Sequence, residues 1–574
     1  MLRSITNSPE KLARRNHFIL VNLIFFINFF WYWKKAFFNS SGLLPGDNAD
    51  ARYTTSLYEH WHLFFTGNLK LTENFFFYPI QNSMSFSDAY LLQGMIHSIF
   101  RFGGIETINA WLYTSILIHL IGSYSAVLIS HRLKLNAIAS SALITFWGFN
   151  SVIWVQRGHI QNLAYPLIGY VLLHFINNRQ SVKRKIIIWR SVTLNFLILI
   201  GLSSAYPFVF TILYAVIGFL TLTFLRKKWR LGSFFDLKKT PRIQIEELLL
   251  KAKTSINVIP LISTIPITYL FSYVYLISAN TITTRSPAEA SYYSPTFSEL
   301  LESPPFNPVY GKITSSLFEN SFPPTGERYM GFTPLFFFLF LFASWRVWLK
   351  YRSDKNNFNL TIWVLALTVI IAEVLVLRDG RGFNFWYLTG SRLPFFDAIR
   401  GMSRIHQTQY MLGGLLIAIY LNKSLNFEKV KRNISSLIVT ILIVVFSVIL
   451  ALQESNSYYG SWQSSEMTPI SSNLKIPNFC ESFIIIPTAP MFETRPWYLY
   501  LIDAQIIATN SKIPTYTGYS GGVPEGYNID FSTEGTARQS SIDYVEKFNK
   551  PNTCLVELQK KDTRIDWKIT KYER

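Results

Sequence analysis

Cysteine is scarce in this 574-residue sequence. Its two cysteines, Cys480 and Cys554, exclude a cysteine-rich metal site. Both follow the last long apolar run, and the sequence leaves open whether they form a disulfide or stay as two free thiols. Charge is also sparse: 15% of residues are Asp, Glu, Lys or Arg, against roughly a quarter in soluble domains. Acids are the rarer sign, 34 against 54 Lys and Arg, for a net charge of +20. That excess does not point to nucleic acid, because the basic residues sit in short clusters between apolar runs and form no continuous face. There is no Walker motif, dinucleotide fingerprint or nucleophile elbow, so chemistry driven by ATP is unsupported. Repeats and low-complexity linkers are absent too. No small-residue cleavage site follows the first apolar run, which therefore reads as an uncleaved span.

What is abundant is apolar. Hydrophobic residues make up 49% of the chain and aromatics 16%. Runs of the length a bilayer requires, roughly 20 residues, fall at 17–33, 109–130, 135–154, 159–177, 186–202, 206–225, 255–278, 331–349, 359–377, 407–422 and 434–452. A further stretch, Tyr90 to Phe102, is short for a span and reads as a surface or re-entrant helix. With the N-terminus cytoplasmic, the inside loops carry Arg132 and Lys134, then Lys183–Lys185, the cluster from Arg226 to Lys239, Arg346–Arg352, and Lys423–Arg432. This is the positive-inside pattern, and inverting the chain would place nearly all of these clusters on the wrong side. Three long loops, 34–108, 279–330 and 378–406, then share the outer face with the segment 453–574. That last segment changes character, with a β-branched run at Phe483–Ile486 followed by turn residues. The expected fold is mainly α. A polytopic transmembrane bundle of about eleven spans (residues 1–452) precedes a soluble extracytoplasmic α/β or β-rich domain (453–574).

Polar residues concentrated on one side of a bundle suggest a site at the membrane boundary. Asp47 and Asp50, within Gly46-Asp47-Asn48-Ala49-Asp50-Ala51-Arg52-Tyr53, share a face if helical. Either one could act as a base of raised pKa, or Asp47 could simply cap a helix. His60 and His62 are two apart and point in different directions, which argues against a metal pair. Trp61 and the Phe75–Tyr78 run read as interfacial anchors. His159 and Gln161 sit in a turn at the mouth of the bundle, where His159 could bind phosphate or hydroxyl, or belong to a polar cap. Arg285 and Glu327 lie in the second long outer loop. Arg400 and Arg404 are four apart on one helical face, on the side where few arginines are expected. Such a pair suits a phosphate, and headgroup snorkelling is the plainer role.

These segments together resemble the GT-C superfamily of polytopic membrane glycosyltransferases, in its poorly characterised bacterial branch. The resemblance is carried by Gly46–Tyr53, Tyr78–Asp88, Gly158–Gln161, Leu393–Arg404 and Gly518–Pro524. It implies transfer of a hexose or pentose from a polyprenyl-phosphate donor, with inversion, to an extracytoplasmic glycan, lipid or protein. It further implies Asp47 as general base with Asp50 as alternative or helper, Arg400 and Arg404 on the departing phosphate, and His159 assisting donor binding. Gln161, Arg285 and Glu327 are further substrate-binding candidates. The donor is pre-activated, so no cofactor or metal is expected, and neither is nucleic acid. The expected location is the bacterial inner membrane, multi-pass, with the N-terminus cytoplasmic and the C-terminus outside. A glycolipid flippase would instead need charged or broken helices at mid-membrane, and a non-catalytic scaffold would need neither.

Overall fold

The computed structural model describes residues 9–38, 43–177, 185–226, 259–276, 287–304, 306–318, 331–379, 382–386, 399, 401–424, 436–455, 461–463, 474–486, 488, 496–561 and 564–572. Among its helices, in chain order, are α1 (Pro9–Phe37), α2 (Asp50–Phe65), α3 (Leu91–Phe102), α4 (Thr107–Arg132), α5 (Ala137–Gly148), α6 (Ser151–Val155), α7 (Ile168–Asn177) and α8 (Lys185–Ser203). There follow α9 (Ala205–Arg226), α10 (Ile259–Leu276), α11 (Pro334–Ser353), α12 (Asn357–Val376), α13 (Ile405–Ser424) and α14 (Ser436–Glu454).

Where the described residues cover them, the apolar runs fall largely on helical chain. Five segments, 15–37, 107–132, 137–158, 205–226 and 357–376, are long and apolar enough to cross a bilayer by length and composition. An α-helix satisfies its backbone groups within the segment, as hydrocarbon requires. Large apolar side chains stand exposed along these helices, such as Val216, Leu220 and Phe224 on α9 and Ile438, Leu442 and Ile449 on α14. Stripes of that kind suit lipid rather than water. α5 differs in being buried along nearly its whole length. α13 packs on it closely because Gly413 and Gly414 carry no side chain. A Cβ at Gly414 would lie 2.6 Å from the Phe146 Cβ, and one at Gly413 would lie 2.8 Å from the Phe336 ring.

In the segment 34–108 α2 lies against α3, with Trp61 filling the space over Gly94, where a Cβ would be 1.9 Å from the indole. α3 has 12 residues and spans only about 18 Å, too short to cross hydrocarbon. Met95, Ile99 and Phe102 are exposed, while Gln93, Gly94, His97 and Ser98 are buried. This is the face pattern of a helix lying on a surface. Glu59 of α2 ties the pair together, accepting from His97 Nε2 at 2.9 Å and Arg101 Nε at 3.0 Å. The interfacial reading of Trp61 and the Phe75–Tyr78 run does not hold for its core residues. Trp61, Phe76 and Phe77 are buried, and the Trp61 Nε1–H donates to the Ala89 carbonyl at 2.7 Å.

What buries Phe77 arrives from the far end of the chain. The C-terminal segment forms β3 to β5, α15 (Tyr498–Ser511) and α16 (Glu534–Phe548). Its sheet has the order β3 (Ser482–Ile486), β4 (Thr553–Lys561), β5 (Arg564–Lys571), with β3 parallel and β5 antiparallel to β4. Among the described residues this part is α/β. Cys480 and Cys554 form a disulfide beside the β3–β4 pair. The extended chain at 515–522 runs along 75–86. Tyr78 N donates to the Thr515 carbonyl at 3.0 Å, Thr515 N to the Phe75 carbonyl at 2.7 Å, and Gly522 N to the Phe86 carbonyl at 2.7 Å. Gly518 lies flat on the Phe77 ring, where a Cβ would be 2.5 Å away. A short antiparallel pair, β1 (Leu43–Pro45) with β2 (Ser461–Gln463), adds a second tie. Deeper in, Arg52 of α2 is ion-paired with Asp503 of α15, both about 1% exposed.

Candidate active site

The site is built at the start of α2. Gly46 makes the entry turn with φ of +99°, where a Cβ would fall 2.3 Å from the Ala51 Cβ. Only glycine adopts that conformation without strain or collision. Asp47 follows, and its Oδ1 accepts the Ala49 and Ala51 N–H groups at 3.1 and 3.0 Å. The capping role considered for Asp47 is therefore real, yet it uses one oxygen. Oδ2 points at Gly158, where a Cβ would be 2.5 Å from it. Gly158 is thus the space that brings the first outer loop against the turn carrying His159.

Asp50 lies one turn further in. Its Oδ2 is 2.9 Å from His159 Nδ1, and its Oδ1 accepts the Tyr519 hydroxyl at 2.6 Å. His159 Nε2 lies 3.1 Å from an Arg404 guanidinium nitrogen. Arginine can only donate, so Nε2 accepts and Nδ1 carries the proton toward Asp50. Arg404 is buried in the turn before α13, with its guanidinium 4.4 Å from the centre of the Tyr206 ring. The Tyr206 hydroxyl accepts the Gly401 N–H at 3.2 Å and fixes that turn. Tyr519, Asp50, His159 and Arg404 form one connected polar line.

Charge in this cluster is unevenly held. Burial alone would raise the Asp50 carboxyl, but the His159 imidazole, the Tyr519 hydroxyl and Arg404 outweigh it and hold the pKa at about 2. Burial and the neighbouring Asp50 charge raise Asp47, against smaller pulls from His159 and the two capping N–H groups. A third carboxylate belongs here. Asp88 Oδ1 accepts the Ala205 N–H at 2.7 Å, capping α9. Burial lifts it to about 6 despite the Ala205 bond, Arg404 and His159. Neighbouring carboxyls pushed in opposite directions are the usual mark of an acid–base site. Among the described residues no group of three or more His, Cys, Asp and Glu is arranged to hold a metal ion.

No protein-family model matches the sequence, and no curated protein matches it. Solved structures do. The oligosaccharyltransferase of Archaeoglobus fulgidus, in its apo form, superposes with a TM-score of 0.50 at 12% identity, over 95% of this chain and 69% of that one. The AglB enzyme of the same organism, in complex with an inhibitory peptide and a dolichol-phosphate, gives 0.50 and 12% over 95% and 70%. ArnT from Cupriavidus metallidurans bound to undecaprenyl phosphate gives 0.44 and 11% over 94% and 92%. The chain shares its fold with these archaeal oligosaccharyltransferases.

The chain is an integral membrane protein, and its structure brings together Asp47, Asp50, His159 and Arg404. Gln161 is adjacent, with its Oε1 accepting the Tyr90 hydroxyl at 2.9 Å. Arg400, Arg285 and Glu327 lie outside the described residues. Reasoning from sequence named Asp88 only as the end of a resembling segment and did not place Tyr519 at the site. For Asp88 the signal was only its place in that resembling segment. For Tyr519, which lies 469 positions from Asp50, local sequence offered none.

Proposed function

We propose that this protein is a membrane glycosyltransferase that moves a hexosyl or pentosyl group from a polyprenyl-phosphate donor to an extracytoplasmic acceptor, with inversion. The observation that supports it best is a carboxylate of raised pKa, Asp47, one turn from the connected line of Asp50, His159 and buried Arg404. In this reading Asp47 is the base. Its Oδ1 is held by the cap, which leaves Oδ2 to take the acceptor hydroxyl proton as the new C1–O bond forms. The bond from C1 to the phosphate oxygen breaks, and the electron pair leaves with the polyprenyl phosphate. Arg404, joined by Arg400, receives the growing negative charge. Asp50 serves as helper by holding His159, which in turn orients the guanidinium. The donor's own phosphate ester supplies the driving force, so neither ATP nor a metal enters the scheme.

About eleven spans with the N-terminus cytoplasmic put the site on the outer face of a bacterial inner membrane. In this reading the loops 34–108, 279–330 and 378–406 share that face with the 453–574 domain, above the spans of 1–452. Acceptors of that face, whether glycan, lipid or protein, fit this arrangement. The test is Asp47→Asn in membranes supplied with labelled polyprenyl-phosphate sugars. Asparagine keeps the capping oxygen, so the variant should accumulate normally while transfer drops by about 10²-fold or more. Full activity in both Asp47→Asn and Asp50→Asn would remove the mechanism. Movement of a labelled glycolipid across proteoliposomes without transfer would move the protein to the flippase class.

A further inference from the structure

We infer that Tyr519, supplied by the C-terminal segment, is a positioning residue for the catalytic cluster, holding Asp50 so that Asp50 in turn sets His159 and Arg404. The inference rests on the transferase reading for its catalytic meaning, while the geometry stands by itself. The Tyr519 hydroxyl gives its proton to Asp50 Oδ1 at 2.6 Å, opposite the His159 bond to Oδ2 at 2.9 Å. With both oxygens engaged, the carboxylate has one orientation available. Tyr519 is itself braced from several sides. Gln505 Nε2 donates to its carbonyl at 2.8 Å. Ser520, next in sequence, donates to the Phe86 carbonyl at 2.7 Å and accepts the Tyr53 hydroxyl at 3.2 Å. The ring packs edge-on to Tyr53 at 5.5 Å and beside Tyr498 at 6.2 Å.

The groups that bear on Asp50 come from several elements around it: Asp47, Tyr53 and Tyr90 of the segment 34–108, His159, Arg404, and Tyr519 itself. Tyr519 is the one contributed by the C-terminal segment, so the site is incomplete without that segment. A tyrosine present only to pack would work equally well as phenylalanine, whereas a positioning hydroxyl would not.

The experiment is an infrared pH titration of the Asp50 carboxyl in the full-length protein in lipid nanodiscs, assigned by subtracting Asp50→Asn. Tyr519→Phe keeps the ring and removes one hydrogen bond to a charged acceptor. It should raise the Asp50 midpoint by about one to two pH units. Ser520→Ala loosens the same anchor without touching Asp50 and should move the midpoint less, in the same direction. If Tyr519→Phe fails to accumulate, Gln505→Leu, which frees the Tyr519 carbonyl, carries the test with a smaller shift in the same direction. An unchanged midpoint in the tyrosine variant, or in the glutamine variant where that is the one available, overturns the proposal. Failure of the transferase reading is seen separately, as sugar transfer that survives Asp47→Asn and Asp50→Asn, and it leaves the titration result intact.

Discussion

At the residue scale the site depends on two glycines as much as on its carboxylates. Gly158 leaves no room for a methyl group, because a Cβ there would sit 2.5 Å from Asp47 Oδ2. Gly158→Ala should therefore push the carboxylate aside and lower transfer by about tenfold or more, since misplacing a catalytic group by even 1 Å is costly. Expression compared with labelled-sugar transfer checks this. The titrations give a second expectation with a definite sign. Asp50 is held at about 2, below its unfolded value near 3.9, so its stabilisation is complete above that value and lost as pH falls toward 2. Asp88 is lifted to about 6, so the folded state binds a proton first and gains stability as pH falls from about 7 to 4. Asp47 is raised in the same direction, and a protonated Asp47 cannot act as base. Activity should thus fall on mild acidification while thermal stability holds or rises. Asp88→Asn should remove that rise. Melting and transfer measured across pH 4–8 would refute this if both declined together in the parent protein.

At the element scale, what the sequence made legible was local. Apolar runs were readable because a span satisfies its own backbone groups, and the helices fall where those runs lie. Asp47 and Asp50 stood out as two acids three positions apart, and the GDN turn announced a helix start. Contacts between distant segments were not legible. Trp61 and the Phe75–Tyr78 run looked like membrane anchors because their covering residues, Gly518 among them, sit far along the chain. Asp88 could not be linked to Arg404 without the fold. The same distance hides the tie between α2 and α15, the ion pair of Arg52 and Asp503, each about 1% exposed. Removing one partner leaves a buried charge, so Arg52→Ala should cost about 3–5 kcal/mol, whereas replacing both with apolar residues of similar volume should recover most of that loss. Thermal unfolding of the single and double variants in detergent measures the difference. Equal destabilisation by both would mean that the pair contributes little and the packing around it dominates.

At the scale of the whole molecule, the arrangement joins the two ends of the chain over one site. Outer-loop carboxylates, the His159 turn, the arginine before α13 and a C-terminal tyrosine meet there, so the C-terminal segment must fold on the same side of the membrane as the loop 34–108. The disulfide makes this testable. Cys480 and Cys554 are the only cysteines, and they are bonded across 74 positions. Such a bond forms and persists in oxidising compartments. Closing a loop of that length stabilises a domain by roughly 4 kcal/mol in the chain-entropy picture. Intact cells should therefore show no thiol reactive to a membrane-impermeant maleimide until a reductant is added, and two thereafter. Both cysteines are buried, so labelling should also require opening of the domain, and a mild denaturant should accelerate it. Ready labelling without reductant, or labelling confined to lysed cells, would put the C-terminal segment on the cytoplasmic side. It would then invert the orientation drawn from the basic loops and take the site with it.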